Sequence, residues 1–420
     1  MIRLIRSHSF FMGNGVLIAL AAIALGVKIA LATVSIASDD FIFLLRNIVA
    51  GWTRSPVPWV LITGPFYQLW LSLPINHPDL SAWIGGFEPP PGPTTYALTF
   101  MIKLPILIAD VICAFLVRSI VAEYRGKHDG ILAAAIWLLN PYVLLTGEMD
   151  GSIELIPIAL TLFSILCMKK GRISIGSLAL GLGITLKLFP IILMPALGVY
   201  YLRLKRTREF LKILLSAIAG LSFYILWTSA WGVEFGYSLL FYTPFTTVAS
   251  ELILTPYASR IGLSTVSTLV FCFVLYIVWI VRDENLLDVV SGSLLAYMAF
   301  LDWWPQYLLC LVPFITIDLV VTRRWSRFYF VVLLLSAFFF NLIMFKFAPA
   351  NSAFYIPAFT TELKTLSGFL QHVYRDPIMV LVASPILRSI FAGVAVFYCA
   401  EICVRNSPRL KALLGRVGCE

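Results

Sequence analysis

Two adjacent carboxylates, Asp39 and Asp40, stand in VSIASDDFIFLL, directly after a long apolar run. A carboxylate pair of this kind suits acid–base chemistry, in which one group takes a proton and its neighbour orients a substrate or ligates a cation. The other reading is a solvated helix end or cap. Company favours the chemical one. Glu148 and Asp150 in TGEMDGS, and Asp302 and Gln306 in LDWWPQY, fall at the ends of other apolar runs, where a shared cavity can collect them. Lys187 in GLGITLKLFPIILMP supplies the opposite charge, between two short apolar segments where Gly183 and Pro190 let the backbone open. A cation at a broken membrane helix is an anion site to which the half-helix N-terminus adds its dipole and free N–H groups, the alternative being a snorkelling lysine at an ordinary turn.

These residues are set in a chain poorly suited to water. Of its 420 residues 60% are hydrophobic and 13% charged, and the mean hydropathy of +0.92 lies outside the range of soluble globular domains. Apolar runs of about 20 residues recur from end to end, each able to cross a ~30 Å hydrocarbon core as a helix, and none alternates like a barrel strand. The expected fold is an all-α polytopic membrane protein. The run after Arg3 and Arg6 is too long for the apolar region of a signal sequence and lacks a small-x-small cleavage site, so it reads as a retained first helix. The cysteines form no CxxC pair and the four histidines are scattered, so no disulfide framework, zinc site or histidine cluster is signalled.

A formal net charge of +9 raises the question of nucleic acid, but position answers it. The basic residues lie in short loops, AEYRGKHD, MKKGRIS, RLKRTRE and TRRWSR, and in the tail RNSPRLKALLGRVGCE, which is the positive-inside pattern and not a nucleic-acid surface. Spans at about 14–37, 96–122, 129–147, 152–168, 172–186, 188–202, 209–231, 262–282, 285–301, 305–322, 325–347 and 378–403 put about 20 Lys and Arg on the cytoplasmic side against about 5 outside. The expectation is therefore one transmembrane domain over 1–420 with about twelve spans and both termini cytoplasmic. Its exterior loops are 38–95, 232–261 and 348–377, and its basic cytoplasmic tail is 404–420. The short spans 172–186 and 188–202 read as a broken or re-entrant pair. In the first exterior loop, WVLITGPFYQLWLSLP reads as an interfacial helix or re-entrant segment, and GGFEPPPGPTT as a stiff connector.

An ionisable group inside a span costs roughly 2.5–3.5 kcal/mol and so needs a partner, a wet cavity or a function. Lys28, Lys103, Asp110, Lys187, Asp318 and Arg388 are in that position. Lys103 and Asp110 share a helix face, and mutual neutralisation within the bundle is the plain reading. Lys28 is about three helical turns before Asp39, either a snorkelling lysine or part of the site.

An acidic pair closing the first helix, a long first exterior loop and broken helices carrying a lysine resemble the GT-C membrane glycosyltransferases. Within that class KLPILIADV, LLNPYVLLTGEMDGSIELIPIAL, LKLFPIILMP and WPQYLLCLVPF resemble the mannosyltransferase family that includes the first mannosyltransferase of glycosylphosphatidylinositol assembly and its archaeal relatives. The similarity spans about residues 35–320, with DD in place of a DxD and GEMD where relatives often have a glutamine before the Asp. The resemblance implies a GT-C-like bundle and a sugar donor on polyprenyl or dolichyl phosphate, with mannose transferred at the exterior or luminal face to a lipid-linked or glycan acceptor, inverting the anomeric carbon. It implies Asp40 or Asp39 as the base and Lys187 on the donor phosphate, with Arg46 and Arg260 as further phosphate contacts. Glu148, Asp150, Asp302 and Gln306 are then left for sugar or acceptor hydroxyls. The acidic pair leaves room for Mg or Mn, and an accessory subunit is compatible. The membrane is the plasma membrane in a prokaryote and the endoplasmic reticulum in a eukaryote. A secondary transporter or lipid-linked glycan flippase is the rival class: it calls for a site near mid-bilayer, whereas an enzyme calls for one deep exterior cavity holding Lys187 and Asp39 or Asp40.

Overall fold

A computed structural model describes residues 19, 21–33, 58–77, 93–187, 189–230, 285–300, 308–322, 328–336 and 377–406. Among these the chain is helical, without a strand. The helices are α1 (Ala21–Thr33), α2 (Pro58–Leu71), α3 (Pro93–Arg125), α4 (Lys127–Leu138), α5 (Pro141–Met149), α6 (Leu155–Lys169), α7 (Ile173–Leu186), α8 (Phe189–Arg203) and α9 (Thr207–Ala230), followed by α10 (Leu286–Phe300), α11 (Val312–Thr322), α12 (328–336) and α13 (Pro377–Asn406).

Two described helices, α3 and the segment Thr207–Leu226 of α9, are each long and apolar enough to cross a membrane, and the bent pair α4–α5 makes a third if taken as one span. The protein is thus a helical membrane protein. Most of the other ranges read as spans carry apolar helices of 10–17 residues, and 262–282 lies outside the described residues, so the described part does not carry twelve full-length spans. The largest departure is at 129–147, read from the sequence as one span. There Asn140 and Pro141 interrupt the helix, and α4 and α5 meet at 43°. Proline at the first position of a helix lacks only a donor that would go unused there, and the Asn140 side chain caps the new start by accepting from the Tyr142 N–H at 2.9 Å. The pair at 172–186 and 188–202 is two helices, with Lys187 in extended backbone between them.

Helix α3 is the hub, packing against α2, α4, α6 and α11. Helix α10 packs on α8 and α13, and every residue from 286 to 298 is buried, as suits a helix that is apolar all round. On α2, the fully buried Trp70 donates its indole N–H to the Thr94 carbonyl at 3.3 Å, tying the segment read as interfacial to the start of α3. Helices α7 and α9 approach through glycines: a Cβ on Gly220 would lie 2.3 Å from the Gly181 carbonyl oxygen, and one on Gly181 would lie 2.4 Å from that of Ser216. Small residues allow this approach in a bilayer, where association rests on packing and interhelical hydrogen bonds. Thr185 adds one of the latter, to the Gly220 carbonyl at 3.3 Å. Gly220→Ala is accordingly expected to lower stability by roughly 1–3 kcal/mol, because backbone must move to admit the methyl. Gly393→Ala, where a Cβ meets nothing within 4 Å, should be neutral in the same thermal-unfolding assay on detergent-purified protein.

Candidate functional site

The motif NPYVLLTGEMDGSIEL builds the polar centre of the bundle. After its capped start, α5 widens into a π-helical turn over Leu144–Met149, closed by the Asp150 N–H on the Leu145 carbonyl at 3.0 Å. Such turns place an extra residue in the coil and are frequent at functional sites. Gly151 then takes φ +70°, a left-handed conformation that glycine adopts without a Cβ penalty, and the Ser152 N–H folds back onto the carbonyls of Thr146 and Gly147, both at 3.2 Å. The chain reverses within a few residues and enters α6 at Leu155.

Four charged side chains meet in the buried interior. Lys28 on α1 places its ammonium 3.0 Å from Asp110 Oδ2 of α3 and 3.0 Å from Glu148 Oε1 of α5. Lys103, one face and two turns up α3 from Asp110, donates to the main-chain carbonyls of Glu148 at 2.7 Å and Met149 at 2.8 Å, where a helix end leaves acceptors unused. The Trp137 indole of α4 donates to Asp110 Oδ1 at 2.8 Å. All four side chains are essentially inaccessible, and two cations face two carboxylates, so the network is neutral as a whole. Among the described residues Glu148 Oε2 has no hydrogen-bond partner.

Lys103 and Asp110 do not neutralise one another directly, contrary to the plain reading of their spacing. Seven residues put two side chains on one face but about 10 Å apart along the axis, beyond ion-pair reach, so each finds its partner on another helix. Lys28 does not snorkel; it is buried with two carboxylates.

The second cluster is at the α7–α8 break. Lys187 caps α7 in extended backbone at φ −154° and ψ 140°, and its N–H bonds to the Gly183 carbonyl at 3.0 Å. Its ammonium pairs with Glu154 Oε1, and the other carboxylate oxygen of Glu154 accepts from the Ser152 hydroxyl. The lysine side chain is 22% exposed and the glutamate side chain 1%. Glu154 precedes α6, where a negative charge complements the helix dipole.

The structure therefore places Lys187, Glu148 and Asp150 of the residues proposed from sequence: Glu148 is in the neutral network, Asp150 is half-buried at the turn after it, and Lys187 is joined to Glu154. Asp39, Asp40, Arg46, Arg260, Asp302 and Gln306 lie outside the described residues. Among the described residues no group of three or more His, Cys, Asp or Glu is arranged to hold a metal ion; the pair considered for Mg or Mn is Asp39 and Asp40, outside them. Glu154 is the residue that reading the sequence left without a role. Its signal was available, as an acid one turn past the glycine of MDGSIE, but the lysine that it meets is 33 residues further on.

Residues 80–249, which contain Lys103, Asp110, Glu148, Glu154 and Lys187, match the family model described as GPI transamidase subunit PIG-U. Curated relatives carry another name. The chain is similar to GPI mannosyltransferase 1. Identity is 27% over 101 residues with the protein of Saccharomyces cerevisiae, covering 24% of this chain and 25% of the relative. It is 24% over 127 residues with that of Schizosaccharomyces pombe, covering 30% and 34%. With that of Dictyostelium discoideum it is 31% over 93 residues, or 21% of each. The matches thus span between about a fifth and a third of these relatives' length. No solved structure matches the chain. The resemblance to a GPI mannosyltransferase family read from the motifs holds, and the transamidase-subunit family is a second likeness that the motifs did not bring out.

Proposed function

We propose that the chain is a membrane glycosyltransferase that moves a sugar, mannose by analogy with GPI mannosyltransferase 1, from a polyprenyl- or dolichyl-phosphate donor to a lipid-linked or glycan acceptor at the exterior or luminal face. The observation that carries this is Lys187, a partly exposed cation at a helix break within an apolar bundle, in the region of likeness to the PIG-U family. A phosphate on a lipid that stays in the bilayer needs such a cation near the membrane's polar boundary. In the reaction the acceptor hydroxyl oxygen bonds to the anomeric carbon from the side opposite the phosphate, inverting it. The carbon–oxygen bond to phosphate breaks with its electron pair left on the phosphate, and the hydroxyl proton passes to a carboxylate, Asp40 or Asp39. Arg46 and Arg260 are further candidates for the phosphate, and Asp150, Asp302 and Gln306 for hydroxyls. Glu148, inside the neutral network, is better suited to fixing the α5 end than to touching a sugar.

A second reading has its own support. The matched family is named for a transamidase subunit, and a chain of that kind could keep the helical scaffold for assembly without transferring sugar. Purified protein incubated with polyprenyl-phosphate mannose and a panel of lipid-linked acceptors separates the two: mannosylated acceptor supports the enzyme, and no transfer to any acceptor by folded protein supports the subunit. Within the enzyme reading, Lys187→Gln is expected to raise the KM for donor or slow transfer by about tenfold or more, and Lys187→Arg to retain part of the activity, since charge matters more than shape at a diffuse phosphate contact. Unchanged kinetics for the glutamine variant would remove Lys187 from the site.

A further inference from the structure

Lys103 is buried, yet its ammonium reaches the backbone of another helix, 2.7 Å from the Glu148 carbonyl and 2.8 Å from that of Met149. A continuing helix would meet the first of these carbonyls with the Ser152 N–H. Here the chain reverses at Gly151, and that N–H is folded back onto Thr146 and Gly147. The lysine supplies donors to carbonyls that would be costly to bury unmet. The two carbonyls belong to consecutive peptide groups, 148–149 and 149–150, and the second ends at the Cα of Asp150. Peptide groups are planar, so gripping both leaves that Cα little freedom to move. Asp150 also lies close enough for its charge to act on the ammonium. The bonds from the Ser152 N–H are local to the turn, whereas Lys103 ties the turn to α3, the hub of the bundle.

We propose that Lys103 is a positioning residue for sugar transfer: from α3 it holds the 148–151 turn by two carbonyls and so sets where Asp150 meets a substrate hydroxyl. This rests on the glycosyltransferase reading, in which Asp150 is a hydroxyl contact. Lys103 is itself inaccessible and acts through the turn, without touching substrate. A hydroxyl donating to a carboxylate is aligned only within a narrow range of distance and angle. A shift of about 1 Å in the turn can therefore cost about 10²-fold in rate, although the lysine is remote from the bonds that change.

The test is a double-mutant cycle on the purified full-length chain, with kcat/KM read for mannose transfer from polyprenyl-phosphate mannose to the lipid-linked acceptor that wild type uses. Asp150→Asn, which loses the charged contact, is expected to lower kcat/KM by about 10- to 100-fold. Lys103→Met, which keeps the length of the side chain without its donors, should lower it by a similar factor. Because Lys103 acts through Asp150, the double variant should lie within about threefold of the more damaged single variant, whereas independent effects would multiply to about 10²- to 10⁴-fold. A general loosening of the fold would lower activity alike with Asp150 present or changed, so losses that multiply overturn the proposal. Where Lys103→Met does not fold, Lys103→Gln, which keeps an amide donor on a shorter arm, takes its place in the cycle, with a smaller loss expected that again disappears beside Asp150→Asn. Wild-type kcat/KM in Asp150→Asn or in either Lys103 variant also overturns it. If wild type transfers mannose to no acceptor, the glycosyltransferase reading falls and the inference with it; a wild type that transfers but shows no coupling in the cycle removes the role of Lys103 alone.

Discussion

Asp40→Asn is expected to reduce sugar transfer by about 10²- to 10⁴-fold while donor binding survives, the range typical for loss of a general base. A neutral acceptor hydroxyl attacks an anomeric carbon poorly unless its proton is taken as the bond forms, and asparagine keeps the size of aspartate without its basicity. We propose Asp40 over Asp39 as the base because it stands one residue further past the first apolar run. Asp39→Asn should then lose less. Transfer and donor binding must be measured separately on folded protein, because a drop in both would indicate a damaged site and not a missing base. Wild-type transfer rates in both variants would reduce the pair to a solvated helix end.

The largest effect on stability is expected from Lys28→Met. The substitution leaves Asp110 and Glu148 in the bundle interior with the ammonium between them removed, and Lys103 is committed to main-chain carbonyls. Breaking a buried ion pair by deleting one partner typically costs about 3–5 kcal/mol, because the remaining charge is stranded. The double variant Lys28→Met, Asp110→Asn removes one charge of each sign, leaves Glu148 with Lys103, and should recover part of that loss, since taking out both partners of a buried ion pair costs less than taking out one. Thermal unfolding in detergent compares the two. A Lys28→Met variant that melts with wild type would mean that the three side chains do not share a site.

How much could be read from residues alone follows from the range of the forces involved. Composition and run length gave the all-helical membrane class, and local breakers gave the separate helices on either side of Lys187, because those features depend on neighbours within a turn or two. Asn140 and Pro141 carry an equally local signal for the bend in α4–α5, yet the apolar run continues through them and masks it. The pairings are another matter. Lys28 with Glu148, and Lys187 with Glu154, join residues 120 and 33 positions apart, and no periodicity selects one carboxylate among several. Charge cost showed that each buried ion needs a counterion; only the packing of α1, α3 and α5 shows which one it has. Glu154 carries no local mark of its role, because the lysine that it meets is 33 positions further along the chain.

The Lys28 pairing also bears on how the chain enters a membrane. Synthesis delivers α1 before α3 and α5, and one of the two carboxylates that neutralise its lysine lies 120 residues downstream. At about 5–20 residues per second the ribosome needs roughly 6–24 s to cover that interval. Until α3 brings Asp110, α1 carries a lone ammonium worth roughly 2.5–3.5 kcal/mol against residence in the hydrocarbon. It must therefore wait beside the insertion machinery, in a water defect or with its lysine drawn toward a headgroup, until α3 and α5 emerge. Helix α1 is made before the helices that neutralise its lysine, and its final depth is decided by helices that do not yet exist when it is made.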